Sequence, residues 1–106
     1  MQSDTYHWIS TFLEAQAAEL GAATNTQLAY GRDLKDFDSF LAGRNSDFAR
    51  AGRDDVERYL VWCDAQGLAK STRARRLSAI KQLYRFAFEE SWRSDNPAIQ
   101  ISGPGQ

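Results

Sequence analysis

Proline occurs only at positions 97 and 104 of this 106-residue chain, so nothing of that kind interrupts helix formation over residues 1–96. Proline in a helix interior removes a hydrogen-bond donor and clashes with the preceding turn. The sequence also has no Val-, Ile- or Thr-rich alternating run, which is the pattern of a half-buried strand. The chain is therefore predicted to be a single all-α domain.

Apolar residues recur at helical spacing in four segments, which predict helices over about 4–20, 24–42, 54–66 and 71–90. Glycine stops and capping residues mark their ends, with Ser71 predicted to cap the last helix. The predicted buried positions are Ile9, Phe12, Leu13, Ala17, Leu20, Tyr30, Leu34, Phe37, Phe40, Leu41, Val56, Tyr59, Leu60, Cys63, Leu77, Ile80, Tyr84, Ala87 and Phe88, with Phe48 as an anchor from the loop 43–53.

Cysteine and hydropathy limit the class of protein. A single cysteine, Cys63, excludes a disulfide framework, and the longest strongly apolar run, 59–63, is far too short to cross a membrane. With no apolar leader after Met1, a cytoplasmic location is expected. The single histidine, His7, has no neighbouring ligands, so no metal or cofactor is predicted.

Positive charge is concentrated near the C-terminal end. The net charge is −1, and residues 1–66 hold six Lys or Arg against eleven Asp or Glu, whereas residues 67–106 hold seven against three. The segment 70–85 carries six positive charges and no negative one. A basic segment with a helical apolar stripe is typical of a helix that lies against a polyanion, although many charged helix faces are merely solvated.

The polar face of this fourth helix has the side chains of a major-groove reader. At 100° per residue, a row opposite the apolar stripe contains Ser71, Arg75, Ser78 and Gln82, with Arg85 close by. Arginine pairs with guanine, glutamine with adenine, and serine with a base or a phosphate. Three further cations flank the row: Arg76 and Lys81 are predicted phosphate contacts, and Lys70 adds to the anion site at the helix start. Arg73 is either a phosphate contact or a structural ion pair.

The order and spacing of several short motifs resemble one known family. They are Asn25-Thr26, Tyr30, Arg32-Asp33-Leu34 and Phe37 in the second helix, Ser71-Thr72, Arg76–Ile80 and Tyr84-Arg85-Phe86 in the fourth, and Asn96-Pro97-Ala98 after it. Over nearly the whole chain the sequence resembles the N-terminal core-binding, SAM-like domain of tyrosine recombinases and phage-type integrases, the Xer recombinases in particular.

The resemblance implies an orthogonal four-helix bundle over 1–95 and, over 96–106, the start of a linker to a separate catalytic domain. It implies a clamp on double-stranded DNA, within a recombinase tetramer that resolves chromosome dimers at cell division. The isolated domain is expected to be monomeric and to lack catalytic residues, with Tyr30, Tyr59 and Tyr84 on core stripes. The resulting DNA-binding candidates are Thr24, Asn25, Thr26, Arg32, Lys35, Lys70, Ser71, Thr72, Arg73, Arg75, Arg76, Ser78, Lys81, Gln82 and Arg85.

Two departures from the family pattern weaken the candidates in the second helix. Gly31 stands where the family usually has a basic or polar residue, and Ala23 stands where serine is common. Two alternatives remain open at this point. One is the corresponding domain of a phage or transposon integrase, and the other is a helical protein-interaction module that uses the acidic part of the surface.

Overall fold

Four α-helices make up the computed structural model, which describes residues 2–21 and 24–101 but not the side chains of residues 2–5 and 20. The helices are α1 (Gln2–Leu20), α2 (Thr24–Gly43), α3 (Arg53–Ala65) and α4 (Lys70–Glu89). The described residues contain no strand, and the predicted all-α fold is confirmed. None of the helices in this part of the chain has the length and apolar character that a membrane crossing would require.

Local signals set most helix ends. Gly21 and Gly67 adopt φ of +60° and +81°, a left-handed conformation in which glycine ends a helix without strain. At the start of α3, the Asp55 carboxylate accepts a 2.9 Å hydrogen bond from the Gly52 amide, as expected for an acidic helix N-terminus. The prediction that Ser71 caps the fourth helix is wrong. α4 begins one residue earlier, after extended Ala69, and no side chain caps it.

An aromatic cluster around Phe37 of α2 forms the centre of the core. Its ring lies 5.0 Å from Tyr59, 5.9 Å from Phe48 and 6.5 Å from Tyr84, measured between centroids. The Tyr84 hydroxyl donates a 3.0 Å hydrogen bond to the Phe48 carbonyl, which fixes the loop between α2 and α3 on α4. Phe48 is 2% exposed, so its predicted role as an anchor is confirmed.

The buried face of α4 is rotated from the predicted one. Phe88, predicted to be inside, is 51% exposed, whereas Leu83, which was not predicted, is fully buried. Leu83 lies about 60° from Ile80 on the side opposite Phe88. The Leu83 side of α4 also carries the polar contacts to α2 and α1, so two neighbouring helices shield it.

The first helix shows a smaller difference. Ala17 is exposed, and Gln16 is buried in its place. Predicted Leu20 and the departure at Ala23 both lie outside the described side chains. Leu13, Tyr30, Phe40 and Leu60 are partly buried against the core.

The start of the predicted linker is part of the domain. Pro97, Ala98 and Ile101 are buried, and the last two belong to the hydrophobic core. Arg93 supports this return of the chain, since its Nη1 donates to the Phe48 and Ala51 carbonyls at 2.9 and 2.6 Å. Residues 97–101, predicted to begin a linker, therefore pack against the bundle, because three buried side chains are too few to show periodicity in the sequence. Residues 102–106 lie outside the description.

Candidate nucleic-acid interface

A buried carboxylate on α2 binds the most prominent arginine of the predicted DNA-facing row. Asp33 is 2% exposed, and its two oxygens accept hydrogen bonds of 2.8 Å each from Nε and Nη2 of Arg75 on α4. This bidentate contact raises the pKa of Arg75 above its ordinary value. Arg75 thus joins α2 to α4 while its side chain remains 44% exposed.

The next arginine, Arg76, is directed into the bundle. Its Nη1 donates to Asp36 at 2.6 Å and to the Tyr59 hydroxyl at 3.0 Å, and its Nε lies 3.6 Å from Asp33. That Nε is buried and makes no hydrogen bond to any described residue. Arg76 was predicted to contact phosphate, but in the structure its guanidinium contacts acidic side chains within the bundle.

Tyr59 is enclosed by the bundle. Its ring is fully buried, and its hydroxyl donates a 2.7 Å hydrogen bond to Asp36. Burial, together with that hydrogen bond, raises the pKa of Tyr59 well above its ordinary value. Burial likewise raises the pKa of Tyr84 and of the Cys63 thiol. These groups are packing residues, as their positions on the core stripes predicted.

A chain of polar side chains continues the contact between α4 and its neighbours. Gln82 donates to the Tyr30 hydroxyl at 3.1 Å and to Ser78 Oγ at 3.0 Å, and it also pairs with Gln16 of α1. Ser78 and Gln82 are only half exposed as a result. The prediction that both face away from the bundle is wrong, because α1 and α2 cover this side of α4.

Most of the basic segment is neutralised within the fold. Two further arginines form ion pairs. Arg73 Nη1 lies 3.7 Å from Asp64 Oδ1, and Arg85 Nε lies 3.2 Å from Glu89 Oε2. Arg73 also donates to the Leu68 carbonyl, which favours the structural ion pair of its two predicted roles. In segment 70–85 only Lys70 and Lys81 form no ion pair to a described residue.

Among the described residues, cations without an ion pair occur only on α2 and α4. Nine of the 13 Lys and Arg residues pair with described acidic side chains. The other four, Arg32 and Lys35 on α2 and Lys70 and Lys81 on α4, make no ion pair in the described part of the chain. Lys81 is half exposed and the other three are exposed. All four belong to the predicted DNA-binding set.

The remaining predicted residues occupy helix starts. Thr24, Asn25 and Thr26 are exposed in the first turn of α2, and Ser71 is exposed in that of α4, where Thr72 is half exposed.

Sequence reasoning missed Asp33 and Asp36, which organise the surface between α2 and α4. Their signal was present: two acidic residues three apart beside the apolar stripe of α2, with Arg75 and Arg76 in α4.

Gly31 is buried, and a Cβ there would lie 3.4 Å from the Leu13 side chain, so the close packing of α1 on α2 favours its small size.

Comparison with known proteins supports the sequence resemblance. Tyrosine recombinase XerD of Caulobacter vibrioides is 42% identical over 97 residues, which are 92% of this chain and 32% of that protein. XerD of Bradyrhizobium diazoefficiens is 46% identical over 93 residues, 88% of this chain and 29% of that protein. The chain thus spans about a third of the length of the curated relatives it matches.

The family match covers the bundle itself. No solved structure matches the chain. Residues 9–91, which run from α1 to just beyond α4, match the family described as phage integrase, N-terminal SAM-like domain. The four-helix fold and this match agree, and the chain belongs to the family of phage integrase N-terminal SAM-like domains.

Proposed function

We propose that this chain is the DNA-clamping N-terminal domain of a XerD-like site-specific tyrosine recombinase. In this proposal α2 and α4 lie across the major groove of a recombination half-site. The chain binds DNA without cutting it, and the nucleophilic tyrosine belongs to another domain of the parent protein. The parent acts in the cytoplasm as a tetramer on paired sites and resolves chromosome dimers at cell division. Similarity to XerD proteins supports this assignment.

The distribution of unpaired cations carries the proposal. A phosphate gains most from a cation that has no internal counter-charge, because binding then releases condensed counterions without breaking an ion pair. Arg32, Lys35, Lys70 and Lys81 meet that condition, and all lie on the two helices proposed to touch DNA. Cations elsewhere, such as Arg50 and Arg58, are paired with Asp47 and Asp54.

Exposed polar groups at the starts of the same two helices are further candidates for phosphate contacts. The first amides of a helix have no intrahelical partner and carry partial positive charge, which favours phosphate. Thr24, Asn25 and Thr26 add hydroxyl and amide donors at the start of α2. At the start of α4, Lys70 adds an ammonium group and Ser71 a hydroxyl. Phosphate contacts of this kind orient a protein on the duplex before any base is read.

The salt dependence of DNA binding tests the proposal. The affinity of the 106-residue chain for a labelled mixed-sequence duplex is measured by fluorescence anisotropy between about 50 and 200 mM salt. Each phosphate contact is expected to contribute about −0.9 to the slope of log K against log salt. Lys81→Ala should therefore make the slope shallower by about 0.9, and Lys70→Ala combined with Lys81→Ala by about 1.8.

Arg58→Ala is the matched control. Arg58 is an exposed cation on α3 that is paired with Asp54 at 2.9 Å, so its removal should leave the slope unchanged. Binding that ignores salt, or a slope that responds to Arg58 as strongly as to Lys81, would overturn the proposal. An equal response would instead indicate a diffuse electrostatic attraction without a defined face.

A further inference from the structure

We infer that Asp33 is a positioning residue that aims Arg75 at a guanine base. It holds the guanidinium by its Nε/Nη2 edge, so that the neighbouring Nη1/Nη2 edge is presented to the adjacent acceptors of guanine, O6 and N7. This inference rests on the proposed function and deepens it, because it assigns base reading and phosphate binding to different residues of the same helix, α4.

The first step is the geometry of the contact. A guanidinium has five N–H donors in one plane and can form a two-point contact along its Nε/Nη2 edge or its Nη1/Nη2 edge. Asp33 occupies the Nε/Nη2 edge of Arg75, with both oxygens at 2.8 Å. The other edge keeps three N–H donors, and the side chain is 44% exposed. Guanine is commonly recognised by such a two-point arginine contact in the major groove.

The second step is the rigidity of Asp33. Its carboxylate is 2% exposed and lies on α2, so it cannot turn toward water while the bundle is folded. Arg76 Nε approaches Asp33 Oδ1 at 3.6 Å from the other side, and Arg76 is itself held by Asp36 at 2.6 Å. A side chain fixed in this way loses less rotamer freedom when it meets a base.

The third step is charge. Arg75 and Arg76 together face Asp33 and Asp36, so the four charges of this cluster cancel. An arginine whose charge is already neutralised releases few counterions when it binds, so it gains little from a phosphate. Its free N–H donors still point in fixed directions. The unpaired Lys70 and Lys81 have the converse properties. Arg75 is therefore suited to reading by geometry, and the two lysines to binding by charge.

A double-substitution experiment on base preference tests the inference. The unmodified chain first selects preferred duplexes from a randomised library, and single base pairs of the selected site are then exchanged. Arg75→Ala should reduce discrimination at one G·C pair by roughly 5- to 150-fold, the range for one two-point contact. Asp33→Asn should reduce discrimination at that same pair, and the double variant should lose no more than Arg75→Ala alone. Lys81→Ala, as the control, should weaken all duplexes alike.

Asp33→Asn removes the counter-charge that Arg75 shares with the more enclosed Arg76 and so destabilises the fold, and two further measurements therefore accompany it. Arg75→Lys keeps the charge beside Asp33 but cannot form a planar two-point contact. It should abolish the G·C preference and leave the salt slope unchanged. In the unmodified chain, the NMR signal of the Arg75 Nε–H should remain protected from exchange when the selected duplex binds.

The outcomes separate this inference from the proposed function. Absence of salt-dependent DNA binding by the unmodified chain defeats the proposed function. If binding is salt-dependent, three results each overturn the role of Asp33 alone. The first is that no G·C preference depends on Arg75. The second is that the preference is undiminished in Arg75→Lys or in folded Asp33→Asn. The third is that the Arg75 Nε–H loses its protection from exchange when DNA binds. A purely structural Asp33 would lower thermal stability without shifting the preference at one base pair.

Discussion

Two neighbouring buried regions of α2 differ in what holds them together. Phe37 lies in an aromatic cluster with Phe48, Tyr59 and Tyr84, whereas Asp33, one turn earlier, lies in a cluster of charges from α2 and α4. Both side chains are almost completely removed from water. The same face of one helix is thus apolar at one turn and ionic at the next.

The difference separates stability from orientation. Burial of aromatic surface is favourable for any partner of suitable shape, so the Phe37 cluster stabilises the bundle without demanding one geometry. A buried ion pair loses much of its Coulombic gain to desolvation, but it requires fixed distances and directions. We therefore expect the Phe37 cluster to dominate unfolding, and the Asp33 cluster to set how α4 presents its outer surface.

The largest expected effect is on the aromatic side. Phe37→Ala should lower the free energy of unfolding by about 3–5 kcal/mol, because it removes a fully buried ring and leaves a cavity. Chemical denaturation followed by circular dichroism measures the loss. Phe88→Ala is the matched control, since that ring is 51% exposed and its loss should cost less than about 1 kcal/mol. Equal losses would contradict the buried face described for α4.

The aromatic region was largely predictable from the sequence, whereas the pairing of charges in the ionic region was not. Apolar spacing identified Phe37, Tyr59 and Tyr84 because burial depends on which face of each helix is apolar. Whether Arg75 points to solvent or to Asp33 depends on how α2 and α4 are rotated against each other, which single-helix periodicity does not contain.

The same limit explains the other differences in the site. The geometry of a single helix predicts an outer row that includes Ser78 and Gln82, but two neighbouring helices cover these side chains. Lys70 and Lys81 were among the predicted DNA-binding residues, but the sequence could not distinguish these unpaired cations from the paired arginines. Pairing requires knowledge of which acids the fold brings near.

A smaller loss of stability is expected on the ionic side. Arg76→Met keeps an unbranched apolar stem but removes the guanidinium and its hydrogen bonds to Asp36 and Tyr59. Because Arg76 is 18% and Asp36 36% exposed, we expect a loss of about 2–3 kcal/mol, below that of a fully buried pair. Denaturation measures it, and Arg50→Met, which breaks an exposed pair with Asp47, should cost less than about 1 kcal/mol.

The DNA-binding slope of Arg76→Met sharpens the comparison further. The charge of Arg76 is engaged by acids inside the fold, so the salt dependence of the folded variant should equal that of the unmodified chain. A slope shallower by about 0.9 would show that Arg76 contacts a phosphate after all. In that case the ionic region would have to open when DNA binds.

The smallest effect is expected from the polar edge of the aromatic region. Tyr84→Phe removes the hydroxyl that donates to the Phe48 carbonyl at 3.0 Å, but Arg93 Nη1 still donates to that carbonyl at 2.9 Å. Because the acceptor keeps a partner, we expect a loss of only about 1 kcal/mol in denaturation. Tyr6→Phe, at an exposed ring of α1, is the control and should change stability by less than about 0.5 kcal/mol. A loss for Tyr84→Phe as large as that for Phe37→Ala would mean that the hydrogen bond, rather than ring burial, holds the 43–53 loop on α4.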